Sequence, residues 1–136
     1  MVEFFAPMNP PTVTAQQKGV RVVNGKPVFY EKPEVKAART LLTIHLARHR
    51  PKKPMQGAVR LLVVWRYPRG KHPDRSWRIT RPDTDNIQKL LKDVMTDLGY
   101  WRDDAQVASE LVEKIWSNSP GIYVKAEEMV NDGLES

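Results

Sequence analysis

The stretch AVRLLVVWRY, residues 58–67, decides the fold because large apolar side chains recur at every second position. One face of the run consists of Val59, Leu61, Val63, Trp65 and Tyr67. A period of two is typical of a β-strand with one face in the core. Arg60 and Arg66 interrupt the other face, so we predict that this second face is only partly buried.

A helical pattern follows this strand after the basic loop PRGKHPDRSWRITRP. Counted from Ile87, apolar residues recur three, four, seven and eleven positions on, at Leu90, Leu91, Val94 and Leu98. These spacings make one stripe of an amphipathic α-helix. Pro82 suits the first turn of a helix, and Gly99 suits the position just past its end. We therefore predict a helix between these two residues.

The segments before the strand predict a strand, a hairpin and another helix. VEFFAP at the N-terminus has the composition of a short strand, and PPTVTAQQKG after it that of a loop. Asn24-Gly25 separates two β-rich runs, which is a strong hairpin signal. Apolar residues at helical spacing then extend from Glu34 to His49, bracketed by Pro33 and Pro51, and predict a helix between the two prolines.

The C-terminal segments VASELVEKIW and GIYVKA, joined through Asn118, Pro120 and Gly121, predict a final pair of strands. The order strand, hairpin, helix, strand, helix, strand, strand indicates the α+β class. We expect a small mixed, mostly antiparallel sheet with two helices. Residues 1–126 should form one domain, and residues 127–136 an acidic C-terminal tail.

The composition excludes several classes of protein. The chain has 136 residues and no cysteine, which rules out disulfides and cysteine metal sites. No apolar stretch approaches the ~20 residues that a membrane helix needs. The N-terminal sequence MVEFFAPMNPPTV lacks the basic region and apolar core of a signal peptide. We therefore expect a cytoplasmic location.

Charge is distributed unevenly along the chain. Residues 1–81 carry 17 Lys and Arg against 4 Asp and Glu, whereas residues 82–136 carry 5 against 12. Such asymmetry indicates a polyanionic partner, either nucleic acid or an anionic membrane surface. The basic residues are spread over elements and loops, which suits a groove that follows a phosphate backbone. The candidate DNA-binding residues are Lys18, Arg21, Arg69, Lys71, Arg78 and Arg81.

Six aspartates lie within RPDTDNIQKLLKDVMTDLGYWRDDAQV, residues 81–107, of this basic protein. Asp83 and Asp85 are two apart at the predicted helix start, where extended residues of this spacing point the same way. Helix capping accounts for one aspartate there but not readily for two. Asp93 and Asp97 continue the polar stripe of the predicted helix. The simpler interpretation is that they lie on its solvent-exposed face and have no role in the site.

Asp103 and Asp104 precede the next predicted strand. If that strand runs beside the one that ends near Tyr67, three or four carboxylates should meet near Asp83. Carboxylates in such a group repel one another and need a counter-charge. Oxygen ligands without cysteine favour Mg²⁺, with Mn²⁺ as an alternative. An EF-hand calcium loop is excluded, because its required Gly and Glu positions hold Gln88 and Val94.

An acidic metal site within a basic surface is the arrangement of a metal-dependent nuclease. The metal polarises a phosphate oxygen and activates water, while Lys and Arg hold the polyanion. Lys89 is one helical turn from Asp85. Lys89 either forms an ordinary ion pair with Asp85 on the helix surface or places its positive charge beside the group that the aspartates bind.

The segment from Arg81 to Val107 resembles the signature of the RusA family of Holliday junction resolvases, found in bacteria and their phages. The shared pattern is D-x-D-N, then a lysine on a helix, an aromatic pair after Gly99, and D-D-x-Q-V. The resemblance implies metal-binding or catalytic roles for Asp83, Asp85 and Asp104, and a catalytic role for Lys89. Asp103 is a further metal-ligand candidate.

The resemblance also implies a function: a Mg²⁺-dependent homodimer that cuts four-way DNA junctions in recombination and repair, in the cytoplasm of a bacterial host, encoded by the host or by a phage or prophage. Two alternatives remain open, namely a nucleic-acid-binding protein without catalysis and a metal-dependent nuclease for flaps or single strands. The loop insert PRGKHPDRSW has no counterpart in the signature. Within it, Trp77 is either a core side chain or one that stacks on an unpaired base.

Overall fold

The computed structural model describes residues 1–13 and 18–130. The elements, in chain order, are β1 (Val2–Pro7), β2 (Lys18–Val23), β3 (Lys26–Glu31), α1 (Pro33–Ala47), β4 (Val59–Pro68), α2 (Thr84–Asp97), a 3-10 turn (Asp104–Gln106), β5 (Val107–Ser117) and β6 (Gly121–Glu128). The α+β class and the order of elements are confirmed. None of the helices in these ranges is long and apolar enough to cross a membrane.

The main sheet has four strands in the order β1-β6-β4-β5. β6 pairs antiparallel with both β1 and β4, and β5 pairs parallel with β4. The expectation that the last two strands pair with each other is therefore wrong, because β4 lies between them. The reason is α2: a helix that connects two strands carries the chain back to the starting end, so the second strand enters the sheet parallel to the first.

The core lies between the sheet and the two helices. All five apolar residues on the predicted inner face of β4 are at most 1% exposed. They pack with the stripe Ile87, Leu90, Leu91 and Val94 of α2 and with Leu42 and Leu46 of α1. Each such side chain contributes roughly 1.5–3 kcal/mol when fully buried. The burial pattern predicted from the sequence is thus confirmed for β4 and α2.

The C-terminus of α2 is a Schellman motif. Gly99 has a φ of 84°. Its N–H donates to the Thr96 carbonyl, while the Tyr100 N–H donates to the Met95 carbonyl, both at 3.0 Å. Glycine adopts this backbone readily because it has no Cβ. The motif turns the chain sharply, buries Tyr100 and Trp101, and sends Asp103 and Asp104 toward the start of β5.

The hairpin predicted at Asn24-Gly25 is confirmed as β2–β3, a separate two-stranded ribbon. At the other end of the chain, Glu127 and Glu128 belong to β6 and pair with Arg60 and Val59 of β4. The predicted acidic tail therefore begins inside a strand. Its last six residues, 131–136, lie outside the described residues, as do residues 14–17 of the N-terminal loop.

Candidate metal and nucleic-acid site

Asp83 and Asp85 lie at the N-terminus of α2, as predicted. Asp83 is the N-cap residue with extended backbone, yet its side chain makes no capping hydrogen bond. Asp85 lies in the first turn, and both residues are exposed. The helix dipole places partial positive charge here, which stabilises carboxylates. Capping therefore does not account for Asp83, and both side chains face solvent.

Lys114 of β5 lies beside this helix start, a feature that the sequence analysis missed. Its Nζ donates to the Thr80 carbonyl at 2.7 Å and also to the Pro82 carbonyl. Burial lowers the Lys114 pKa, Arg78 lowers it further, and the carboxylate of Asp83 opposes both effects. A partly buried cation from a neighbouring strand thus fixes the segment that leads into Asp83. An alternating strand pattern gives no signal of such a role.

Gln88 is a second residue that the sequence analysis did not single out. It is 2% exposed, and its Oε1 accepts from the Trp65 indole N–H at 3.0 Å. Its Nε2 is buried and has no partner within the described residues. Gln88 lines a cleft between α2 and β5 whose other residues are Thr84, Asp85, Lys92, Glu110 and Val112. An amide donor without an acceptor, a rare state for a buried polar group, therefore lies next to Asp85.

Asp103 and Asp104 differ in their contacts. The Asp103 carboxylate accepts from the Ala105 N–H at 2.8 Å, and the Gln106 side chain accepts from the Asp103 N–H at 3.1 Å. This reciprocal pair is a capping box, so Asp103 has a structural role. Asp104 makes no side-chain hydrogen bond within the described residues. It lines a groove with Arg39, Asp93, Thr96, Asp97, Arg102 and Asp103.

The two acidic groups lie at opposite ends of α2. That helix has 14 residues. At a rise of about 1.5 Å per residue it is about 21 Å long. Because β5 is parallel to β4, Asp104 lies near Val59 at the start of β4, and not near Tyr67 at its end. Among residues 1–13 and 18–130 no three His, Cys, Asp or Glu side chains are grouped for a metal. The expectation that these aspartates meet within one chain is wrong.

Lys89 lies one turn beyond Asp85 on the side of α2 that faces the hairpin. Its side chain is 55% exposed, and its Nζ is 3.9 Å from the Asp93 carboxylate. The groove around it is shared with Lys18, Phe29, Tyr30, Glu31 and Arg39. An ion pair this long and this exposed is weak, so the Lys89 ammonium remains accessible to an anion.

The six candidate DNA-binding residues fall into two groups. Lys18 and Arg21 lie on the exposed hairpin, while Lys71 and Arg81 are exposed in the basic loop that precedes α2. Two others are engaged within the protein. The Arg69 side chain donates to Asn118 and to the His72 carbonyl. The Arg78 guanidinium lies 4.3 Å from the Tyr67 ring centroid and 4.6 Å from that of Trp116. DNA contact by all six stays a prediction.

Comparison with known proteins identifies the family of the chain. The family model for endodeoxyribonuclease RusA matches residues 7–127. The crossover junction endodeoxyribonuclease rusA of Lactococcus phage r1t is 31% identical over 130 residues, covering 93% of this chain and 98% of the phage protein. The protein YqaN of Bacillus subtilis (strain 168) is 26% identical over 137 residues, covering 92% and 95%. Since the family model spans most of the chain, the protein belongs to the RusA endodeoxyribonuclease family.

Proposed function

We propose that this protein is a Mg²⁺-dependent, structure-selective endodeoxyribonuclease that cuts four-way (Holliday) DNA junctions. Family membership and the activity for which the Lactococcus phage relative is named support this proposal. The observation that carries it is the pair Asp83 and Asp85: two exposed carboxylates, neither used for capping, next to the basic segment 69–81. The proposed role is in DNA recombination and repair in the cytoplasm of a bacterial host.

The residues present fit a hard divalent cation only in part within one chain. Asp83 and Asp85 supply carboxylate oxygens, the ligands that Mg²⁺ and Mn²⁺ prefer. Asp104 lies instead in a groove with Asp93 and Asp97, and no three acidic side chains are grouped for a metal among the described residues. We therefore propose that the third carboxylate comes from Asp104 of a second copy. Asp103 is a weaker candidate, because its carboxylate already caps the 3-10 turn.

A twofold homodimer has suitable geometry for such a shared site. A twofold axis perpendicular to α2 makes the two copies of the helix antiparallel, so the N-terminus of one lies by the C-terminus of the other. β5 is an edge strand next to α2, and its Leu111 is 56% exposed. Over residues 107–113, before the basic loop pairs with residues 114–116, this strand offers a second copy an edge for pairing. A four-way junction has two equivalent strands to cut, which matches two equivalent sites.

Each charged residue then has a distinct task. When bound, Mg²⁺ supplies a Lewis acid that neutralises charge on the scissile phosphate. Lys89, one turn from Asp85, stabilises negative charge that develops on the same phosphate during cleavage. Lys114 holds the Thr80–Pro82 backbone and so positions Asp83. Lys71, Arg81 and the hairpin cations bind phosphates further along the DNA.

The proposal is tested with synthetic four-way junctions, duplexes and flaps, each incubated with Mg²⁺ or with EDTA. We expect paired cuts in the junction when Mg²⁺ is present and none in EDTA. Asp83→Asn and Asp85→Asn should not cut. Both variants should still bind DNA, because each removes a negative charge that repels the phosphates. Glu34→Gln is the matched control, since Glu34 lies in the first turn of the other helix. Binding without cleavage in any divalent cation, or preferred cleavage of flaps, would contradict the proposal.

A further inference from the structure

The basic loop before α2 holds an extended segment, Arg75–Arg81, here called the strap. It runs along the outer edge of β5 and forms backbone hydrogen bonds with that strand. The Arg75 N–H donates to the Trp116 carbonyl at 2.8 Å, and the Trp116 N–H donates to the Ser76 carbonyl at 2.9 Å. The Arg78 N–H donates to the Lys114 carbonyl at 3.0 Å. The strap therefore acts as an extra short strand on the sheet.

Side chains on the inner side hold the strap in place. The Arg78 guanidinium lies against the rings of both Tyr67 and Trp116, and the His72 ring stacks on Trp116 with centroids 4.0 Å apart. Lys114 bonds the Thr80 carbonyl from the body of the protein. These contacts order the backbone before any partner binds, so the conformational entropy cost of binding through the strap is small.

The outer side of the strap carries two large apolar side chains. Trp77 is 64% exposed and Ile79 is 92% exposed, with exposed Arg75 and Arg81 on either side of them. Trp65, by contrast, is completely buried in the core. A tryptophan and an isoleucine held outward on an ordered segment contribute little to folding. Exposed apolar groups of this kind, bordered by positive charge, are typical of a binding surface.

We propose that the strap is a base-stacking element, in which Trp77 and Ile79 pack against bases at the branch point of the bound DNA. This inference rests on the proposed junction cleavage and adds a recognition element to it. An aromatic ring stacks on any base, and apolar side chains insert where stacking is already broken. A junction has such bases at its branch point, whereas an intact duplex does not.

Charge and position favour DNA over a protein as the occupant. Residues 69–81 contain five Lys and Arg but only one Asp. A second copy would present the same positive strap, so a twofold strap–strap contact is repulsive. Ile79 precedes Asp83 by four residues, a span of at most about 14 Å. At about 3.4 Å per nucleotide along one strand, the stacked base lies within roughly four nucleotides of the phosphate at Asp83.

The test measures DNA binding in EDTA, which removes divalent cations and so prevents cleavage during the measurement. Four-way junctions and duplexes carry the fluorescent base 2-aminopurine at the branch point or at the matching duplex position. We expect Trp77→Ala to weaken junction binding about 5- to 150-fold, the range of base–aromatic stacking, and to remove the fluorescence change. Duplex affinity should change less than about twofold. Trp77→Phe keeps an aromatic ring and should retain most junction affinity.

The control is Ile44→Ala, which removes an apolar side chain that is 53% exposed on α1. The stacking proposal is overturned if Trp77→Ala binds the junction like the parent, or if junction and duplex binding weaken equally. It is also overturned if Trp77→Ala turns the dimer into a monomer in sedimentation, since the strap would then contact protein. In these cases junction cleavage by the parent still supports the proposed function. A parent that does not prefer junctions over duplexes overturns both.

Discussion

Heterodimers that combine two inactive variants test the shared metal site directly. In the Asp85→Asn homodimer, both metal sites lack a carboxylate from the start of α2. In the Asp104→Asn homodimer, both sites lack the carboxylate that follows the end of α2. Each homodimer should therefore be inactive. If each site takes Asp85 from one copy and Asp104 from the other, the heterodimer has one site with both defects and one site with none.

The expected magnitude follows from how the carboxylates are placed. Two oxygens that ligate one Mg²⁺ lie within roughly 4 Å of each other, whereas no three carboxylates are grouped for a metal among the described residues and Asp104 lies in a groove with Asp93 and Asp97, away from the start of α2. We therefore do not expect a complete site within one chain. With one intact site of two, the heterodimer should nick junctions at about half the parental rate and produce almost no paired cuts.

The assay uses two differently tagged variants, co-expressed and purified through both tags, on an end-labelled junction with Mg²⁺. The matched control is the heterodimer of Asp83→Asn with Asp85→Asn, which has a defect at the same end of α2 in both copies and should not nick at all. Refutation is clear: if the Asp85→Asn/Asp104→Asn heterodimer is dimeric, binds junctions and still fails to nick, the carboxylates do not combine across copies.

Four further outcomes are expected. Junction affinity should fall with salt at a log–log slope steeper than about −4, since each phosphate contact contributes about −0.9, and a slope near −1 would contradict a basic DNA-binding surface. Lys89→Ala should slow cleavage by roughly 10²–10³-fold with unchanged junction affinity. Cleavage at the parental rate would show that Lys89 forms only an ion pair on the helix surface. Gln88→Met should lower the free energy of unfolding, measured in urea titrations, by about 1–3 kcal/mol, because the Trp65 N–H loses its acceptor. An unchanged free energy of unfolding would show that this hydrogen bond does not stabilise the protein. Burial raises the pKa of Tyr67 and Tyr100 above the unfolded value of 10.0, so the stability that their neutral forms provide is retained below pH 10 and lost above it. The loss should be at most about 1.4 kcal/mol per pH unit for each tyrosine, a slope in urea titrations that replacing both with Phe should reduce.

The parts of the structure that the sequence predicts are those with local causes. The alternation in β4 and the stripe in α2 follow from burial of one face, so both were correct to within two or three residues. Gly99 predicted the end of α2, because its backbone has a positive φ that few other residues adopt. The aspartate pair at the helix start was also correctly placed, since Pro82 and the apolar stripe fix where that helix begins.

The parts that the sequence did not predict depend on contacts between distant segments. The packing of α2 decides whether β5 pairs parallel with β4 or antiparallel with β6. The sequence VASELVEKIW itself does not indicate which of the two strands is the partner. The same topology separates Asp104 from Asp83. Arg78 illustrates a second limit: an arginine in a basic loop suggests phosphate binding, but only the structure shows its guanidinium against two aromatic rings.

The attachment of the strap to β5 has a consequence for synthesis of the protein. Lys114, which bonds the Thr80 carbonyl, is 34 residues further along the chain. A nascent chain that has just emerged through Asp85 therefore lacks the strand that fixes the approach to Asp83. The surroundings of that aspartate are completed only after β5 has left the ribosome and entered the sheet. A product truncated before residue 114 is therefore expected to carry both aspartates without the support that positions them, so cleavage should require a chain that extends through β5.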